Sequence, residues 1–345
     1  MGAKIEKIEY YLPEKIITNK DIYCSLEIDN KNEQIDEDLL EKRISKLEKS
    51  TGIKERHIVQ EEETALDIAQ KVSEKILQKY NREKIDFIIL CTESPEYYLP
   101  PGACILQDRL NLRKDIGAFD FNLGCSGFIY GLALAKSIIQ NNIAENILLI
   151  TSETYSKLIY GKDKGNRTIF GDAAAAVIIE KSEEEQIGEF VLGTDGSGYK
   201  NLIVPNGGVR DRYDPNAKEI DDGVGNVRTD NNFFMNGPDV FNFTIKVVPD
   251  LFFKILQKNK ISLENLDYVI FHQANKYMNE YLRKKIGIPK DKYYLNLLYT
   301  GNTVSATIPI AIRNSLDDGV IKKCDKILLA GFGVGYSWGG TIITI

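Results

Sequence analysis

The feature that most restricts what this chain can fold into is that it repeats its own plan. Residues 85–90 (IDFIIL) are echoed by 266–271 (LDYVIF), and 146–150 (NILLI) by 326–330 (KILLA). Each is a short apolar run of the kind expected of a buried strand. Within each half the pattern predicts a helix ahead of the second run, over about 126–140 in the first and 305–316 in the second. Further strands are expected at 116–121 and 173–180 (AAAAVIIE). A helix is expected over 64–80, where Ala65, Ile68, Ala69, Val72, Ile76 and Leu77 share one face and Thr64 is placed to cap it, with Asp67 in its first turn. Self-similarity of this kind points to a duplicated α/β unit whose two copies pack their sheets as neighbouring layers. The expected halves are residues 1–182 and 183–345. A Gly-, Asn- and Asp-rich segment over 195–238 is longer than an ordinary connection, and is expected to be a solvated insertion or a wall or lid over a site. An acidic, lysine-rich stretch over 27–50 reads as solvated helix and loop.

Composition excludes more than it selects. A net charge of −6 gives no reason to expect nucleic acid as a partner, though a net sum hides local basic patches on which an acidic carrier can dock. The N-terminus has no signal-peptide core, and Glu6 stands where a myristoylation signal wants Ser or Thr. No apolar run approaches the ~20 residues that span a bilayer, so no membrane association is expected and a cytoplasmic protein is. The five cysteines are odd in number, widely spaced and without a CxxC pair, which indicates neither a disulfide framework nor a metal site. A cysteine in such a chain is by default a small buried hydrophobe.

Three segments can carry chemistry. Gly124-Cys125-Ser126-Gly127 runs from a strand into a helix; flanking glycines allow a tight turn, and a helix N-terminus favours the thiolate. The N–H of Cys125, without a helical partner, can also donate to an oxyanion. His272, one of only two histidines, directly follows the 266–271 strand in Phe271-His272-Gln273-Ala274-Asn275. A neutral imidazole there can donate to a carbonyl or exchange a proton with a thiol. His57, in a polar run, reads as a surface residue. Asn302, in Gly301-Asn302-Thr303, precedes the second helix much as Cys125 precedes the first, so a pseudo-twofold would turn both helix starts toward one cleft. The glycine-dense turn over 331–340 lacks the features of a P-loop or dinucleotide motif and is better read as presenting a backbone N–H. Taken singly, these are also a packed cysteine, a core histidine, a helix cap and a β-turn. Their joint order is what points to function.

That order, NLGCSGF then FHQAN then GNTVSATIP then GFGVGYSWGG, together with TGIKER at 51–56 and IFGDA at 169–173, resembles the β-ketoacyl-acyl-carrier-protein synthase III family. The resemblance implies an α/β, thiolase-like five-layered αβαβα fold and a homodimer. It implies that Cys125 is the nucleophile, that His272 and Asn302 handle decarboxylation, and that the N–H groups of Cys125 and Val334 form the oxyanion hole. A histidine in place of Asn302 would point to chain-elongating synthases, and a second cysteine to thiolases. The implied substrates are acyl-CoA or another acyl thioester and a malonyl thioester on acyl carrier protein, with no cofactor. Two alternatives remain open: acyl transfer from Cys125 to an oxygen or nitrogen nucleophile, and a non-catalytic subunit of a heterodimer.

Departures from the family pattern bear on substrate. The tryptophan and arginine that clasp the adenine of CoA in well-known members fall at Lys46 and Lys164, which stack poorly. The carrier-docking arginine falls at Tyr277, with Lys276 beside it. The stretch 91–100 is expected to approach the acyl pocket, across a dimer interface or within the chain, with Glu93, Leu99 and Phe332 as pocket or gate. Glu93 and the neighbouring tyrosines suit a polar or bulky acyl group.

Overall fold

The runs of β-branched and apolar residues do form the sheets. The structure, a computed structural model, describes residues 2–29, 36–223 and 226–345; residues 30–35 of the lysine-rich stretch lie outside the described residues. The first sheet holds β1 (Gly2–Tyr11), β2 (Phe87–Cys91), β3 (Gly117–Phe121), β4 (Asn146–Glu153) and β5 (Ala173–Ser182), in the spatial order β1-β5-β4-β2-β3. The second holds β6 (Val191–Thr194), β7 (Tyr268–Phe271), β8 (Lys326–Gly333) and β9 (Ser337–Thr344), in the order β6-β9-β8-β7.

The two sheets have one plan. β1 with β5, and β6 with β9, are antiparallel edge pairs. β5 with β4, and β9 with β8, are antiparallel; β4 with β2, and β8 with β7, are parallel. Beyond β2 the first sheet continues with β3, whereas beyond β7 there is one parallel bridge, Val269 to Tyr293. The echo between IDFIIL and LDYVIF is therefore an echo of topology.

Five helices complete the layers: α1 (Ala65–Leu77), α2 (Gly127–Gln140), α3 (Gly237–Lys258), α4 (Lys276–Ile286) and α5 (Thr307–Asp317). α1 covers the outer face of the first sheet, α3 and α4 that of the second, and α2 and α5 pack against both sheets between them. The result is the αβαβα order. The middle layer is closed by Phe128, Ile129 and Leu132 of α2 and Ile308 and Ile312 of α5, against Ile89 and Leu149 of one sheet and Ile270 and Leu329 of the other. Each fully buried Ile or Leu contributes roughly 1.5–3 kcal/mol.

Thr64 caps α1 as expected, in a reciprocal box: its hydroxyl accepts from Asp67 N, and Asp67 Oδ2 accepts from Thr64 N at 2.9 Å. Helix α3 was not read from the sequence, although Asn236 caps it and Pro238 stands in its first turn, both helix-start signals. Its signal is masked by the Gly- and Asn-rich segment that runs straight into it. In that segment Leu202–Ile203 pairs with Phe234–Met235, so its ends are tied together on the body of the protein. No helix among the described residues is long and apolar enough to cross a membrane.

Candidate active site

Cys125 lies between β3 and α2, with the Gly127 N–H bonded to the Gly124 carbonyl (2.8 Å) in a tight turn. The glycines are not needed here for backbone conformation, since neither has a left-handed φ. They are needed for space. A methyl on Gly124 would overlap the Glu93 carboxyl, and one on Gly127 would overlap the Cys91 sulfur. The Ser126 hydroxyl meets that of Ser337 at 2.7 Å, pinning the turn to β9.

His272 extends β7 by one residue, its N–H donating to the Ala330 carbonyl at 2.8 Å. The ring is 2 % exposed and stands edge-on to Phe332, 5.9 Å between centroids. Its Nδ1 is 2.8 Å from the Thr307 hydroxyl, at the start of α5. That hydroxyl also reaches the Val304 carbonyl, at 3.0 Å; when it turns from there to donate to Nδ1, the ring proton sits on Nε2 and can donate to a ligand. Asn302 is fixed by its backbone, which bonds Ile169 O and Gly171 N, and by its side chain, whose Oδ1 accepts from Val304 N at 2.9 Å. That bond holds Val304 at φ 55°, and it commits the amide oxygen, leaving the Nδ2–H groups as donors. The expected helix over 305–316 accordingly begins as a 3₁₀ turn, Val304–Ala306, before α5.

Cys125, His272 and Asn302 meet in one cavity of about 370 Å³. Phe332 and Gly333 of β8, Phe170, and Leu202 and Met235 from the two ends of the 195–238 segment wall it. Thr244 and Phe241 of α3 and Asn275 and Tyr277 at the start of α4 complete it, Tyr277 being exposed. The N–H groups of Val334 and of Cys125 itself both act on the thiol.

Electrostatics departs from expectation at the thiol. The Cys125 side chain is pushed well up from the ordinary thiol range, by burial first and then by the carboxyls of Glu93 and Glu153. The helix start and the two N–H groups pull the other way and are outweighed: the residue is 7 % exposed, and loss of hydration acts on a full charge whereas the helix end offers a partial one. At rest Cys125 is a thiol. His272 is pushed down to about 3 by burial, so its ring is neutral.

Other expected residues fall outside the cavity wall. Leu99 is 80 % exposed at the tip of Tyr97-Tyr98-Leu99 and lies away from the cavity of its own chain. Glu93 is behind the turn that carries Cys125, not on the cavity wall, its carboxyl accepting from the Tyr155 hydroxyl. Lys46 is exposed on the helix Glu37–Thr51, along an outward groove with Lys42 and Lys49. Lys164 opens a short helix with its ammonium 5.9 Å from the Tyr23 ring, and Lys276 is exposed beside Gly52, next to the lining residues Asn275 and Tyr277. Ungapped counting locates a residue in the chain, not the direction in which its side chain points. His57 is half-buried rather than on the surface, its Nδ1 2.5 Å from the Pro13 carbonyl. Beside it Arg56 is fully buried, donating to Ile17 O, Asn19 Oδ1 and Thr168 O. Tyr155 and Glu153, which shape the site from behind, carried no motif that sequence reading could pick out.

Residues 119–196 match the 3-oxoacyl-acyl-carrier-protein (ACP) synthase III signature, and residues 256–345 match that of its C-terminal part. The chain is 38 % identical to a beta-ketoacyl-acyl-carrier-protein synthase III of Clostridium perfringens over 86 % of its length and 89 % of the relative's. This chain belongs to the synthase III family. It is 36 % identical to the synthase III of Caldanaerobacter subterraneus, over 96 % of this chain and 95 % of that one. Its fold superposes on a crystal structure of a 3-oxoacyl-(acyl-carrier-protein) synthase III with a TM-score of 0.93 and 40 % identity, covering both chains fully. As a synthase III family member it is a condensing acyltransferase with the thiolase-like fold.

Proposed function

We propose that the chain catalyses decarboxylative Claisen condensation on Cys125. The observation that supports this best is the convergence of Cys125, His272 and Asn302 on one cavity, with two backbone N–H groups acting on the thiol. In the first stage the sulfur attacks the carbonyl of an acyl-CoA or other acyl thioester, the carbon–sulfur bond to the donor breaks, and the donor leaves as a thiol. The oxyanion is held by the N–H groups of Cys125 and Val334.

In the second stage a malonyl thioester carried on acyl carrier protein enters along the same cavity. Its carbon–carbon bond to the carboxylate breaks, carbon dioxide leaves, and charge moves onto the thioester oxygen. His272 Nε2–H and Asn302 Nδ2–H donate to that oxygen. Both are neutral donors, so they strengthen as the charge grows and stabilise the transition state more than the ground state. The enolate carbon then attacks the acyl-Cys125 carbonyl, the carbon–sulfur bond to Cys125 breaks, the 3-oxoacyl carrier thioester departs, and the Cys125 thiolate takes a proton from water to regain the thiol. The reading includes a cytoplasmic homodimer whose two halves divide at 182/183. In it Leu99 reaches the acyl pocket of the partner, while Lys276, Lys164 and Lys46 meet the phosphates of CoA or the carrier, and Phe332 bounds the acyl group. The exposed Tyr97-Tyr98-Leu99 tip suits a buried role between subunits.

Intact-mass measurement across a panel of acyl-CoA donors tests it. One acyl mass is expected on the wild-type chain and none on Cys125→Ala; malonyl carrier should then release carbon dioxide and a 3-oxo product. An adduct that survives in Cys125→Ala, or acyl loss without carbon dioxide, would overturn the reading.

A further inference from the structure

Acylation requires Cys125 to give up a proton, and the groups already described do not receive it. The thiol is buried and held protonated, and His272 is a poor base because burial disfavours its cation. Behind the nucleophile turn, however, lies a carboxyl with no cation among its partners named here. Glu93, just past the end of β2, sets its Oε2 against Gly124: a methyl there would overlap that oxygen and come within 2.9 Å of Val334 Cγ1. Gly124 precedes Cys125, and Val334 supplies the second N–H that acts on the sulfur. The carboxyl thus stands against the residue that precedes Cys125, and its charge acts on the thiol.

We propose that Glu93 is the general base that takes the thiol proton of Cys125 during attack on the acyl thioester. As the new sulfur–carbon bond forms, the proton passes from Sγ to the Glu93 carboxylate. As the old sulfur–carbon bond breaks, the protonated carboxyl returns it to the departing thiolate, so the donor leaves as a thiol and Glu93 is reset. The proposal rests on Cys125 being the acyl carrier.

The surroundings suit a group that must hold and release a proton. Burial pushes Glu93 up to about 7, against the lowering effect of the Tyr155 hydroxyl bond. Glu153, on β4, is pushed well above the carboxylate range by burial and by Glu93, and it accepts from the Ser305 hydroxyl (2.8 Å), the Glu93 N–H (3.0 Å) and the Ser94 hydroxyl (3.2 Å). Two carboxyls this close do not both ionise near neutrality, so Glu153 keeps its proton and Glu93 titrates. Cys91 of β2 is also held neutral by burial, and Tyr155 likewise, so the thiol and Glu93 are the pair between which a proton can move.

The test is alkylation of Cys125 by iodoacetamide, read by peptide mass at that residue from pH 5.5 to 9, which needs neither primer nor carrier. Wild type should show a rate that rises through about pH 7. Glu93→Gln, which keeps the shape and can still accept from Tyr155, should react about 100-fold more slowly at pH 7.5 and lose that inflection. If Glu93 only opposes the thiolate by its charge, Glu93→Gln reacts faster with its inflection moved to lower pH, and the proposal fails. An unchanged profile also overturns it. Tyr155→Phe removes the bond that lowers Glu93, so its inflection should move to higher pH; this variant decides the matter if Glu93→Gln does not fold, and an unmoved inflection overturns the proposal. Because no thioester is used, condensation can stand or fall independently.

Discussion

Replacing Asn302 separates the two stages of the reaction more cleanly than any other change. Its side chain does two things at once: Oδ1 satisfies the N–H of buried, left-handed Val304, and Nδ2 is left to donate into the cavity. In Asn302→Ala both are lost. Removing one of two donors to a developing enolate is worth about 2.7–4 kcal/mol, so decarboxylation of the malonyl carrier should fall by about 10²–10³-fold. The orphaned Val304 N–H should cost about 1–3 kcal/mol of stability, read by urea denaturation. Asn302→Asp distinguishes these effects. A carboxylate still accepts from Val304, so most of the stability should return, but it cannot donate and repels the enolate, so the rate should not recover. Acylation of Cys125, followed by intact mass, should stay within about threefold of wild type in both variants, because neither touches the N–H groups of Cys125 and Val334. Decarboxylation that persists in Asn302→Ala, or acylation that falls in parallel with it, would refute the division of labour.

Gly333→Ala should fold but acylate about 100-fold more slowly, because the added methyl meets only the Cys125 side chain, 2.8 Å from Cβ and 2.9 Å from Sγ, and must displace the thiol; a normal burst of acylation would show that the thiol is placed otherwise. Asp172, pushed up to about 6 by burial, binds its proton more tightly folded than unfolded. Its contribution is therefore fully present below about pH 4 and is lost as pH rises through about 6, a slope that urea titrations should lose in Asp172→Asn. The same variant should lose about 1–3 kcal/mol at pH 7, since an amide nitrogen cannot accept from both Val59 N and Ser156 N. His272→Ala should abolish carbon dioxide release more completely than it slows acylation, measured on the same samples.

Reading the chain found the central strands because their runs are continuous and β-rich, but not the edge strands β1 and β6, and it found α1 because one face is apolar and its cap is a Thr with Asp in the first turn. It missed α3, whose start signals were absorbed into a Gly- and Asn-rich stretch. It brought Cys125, His272 and Asn302 together correctly, since each stands at the end of a repeated strand or the start of a repeated helix. The directions of the lysine and Glu93 side chains were not legible, because ungapped spacing says nothing about which way a side chain turns.

The sequence by itself determined the duplicated α/β plan, the order of the motifs and the turn that carries Cys125, all of which follow from local patterns: apolar periodicity, a turn before a helix, a histidine after a strand. The ionisation of the site was decided only in the tertiary structure. A helix start in water would favour the thiolate, yet here packing removes the hydration of Cys125 and sets Glu93 and Glu153 behind it. Those residues are distant in the chain, and the energy that governs them is desolvation, which exists only once the two sheets and their middle helices have closed around them.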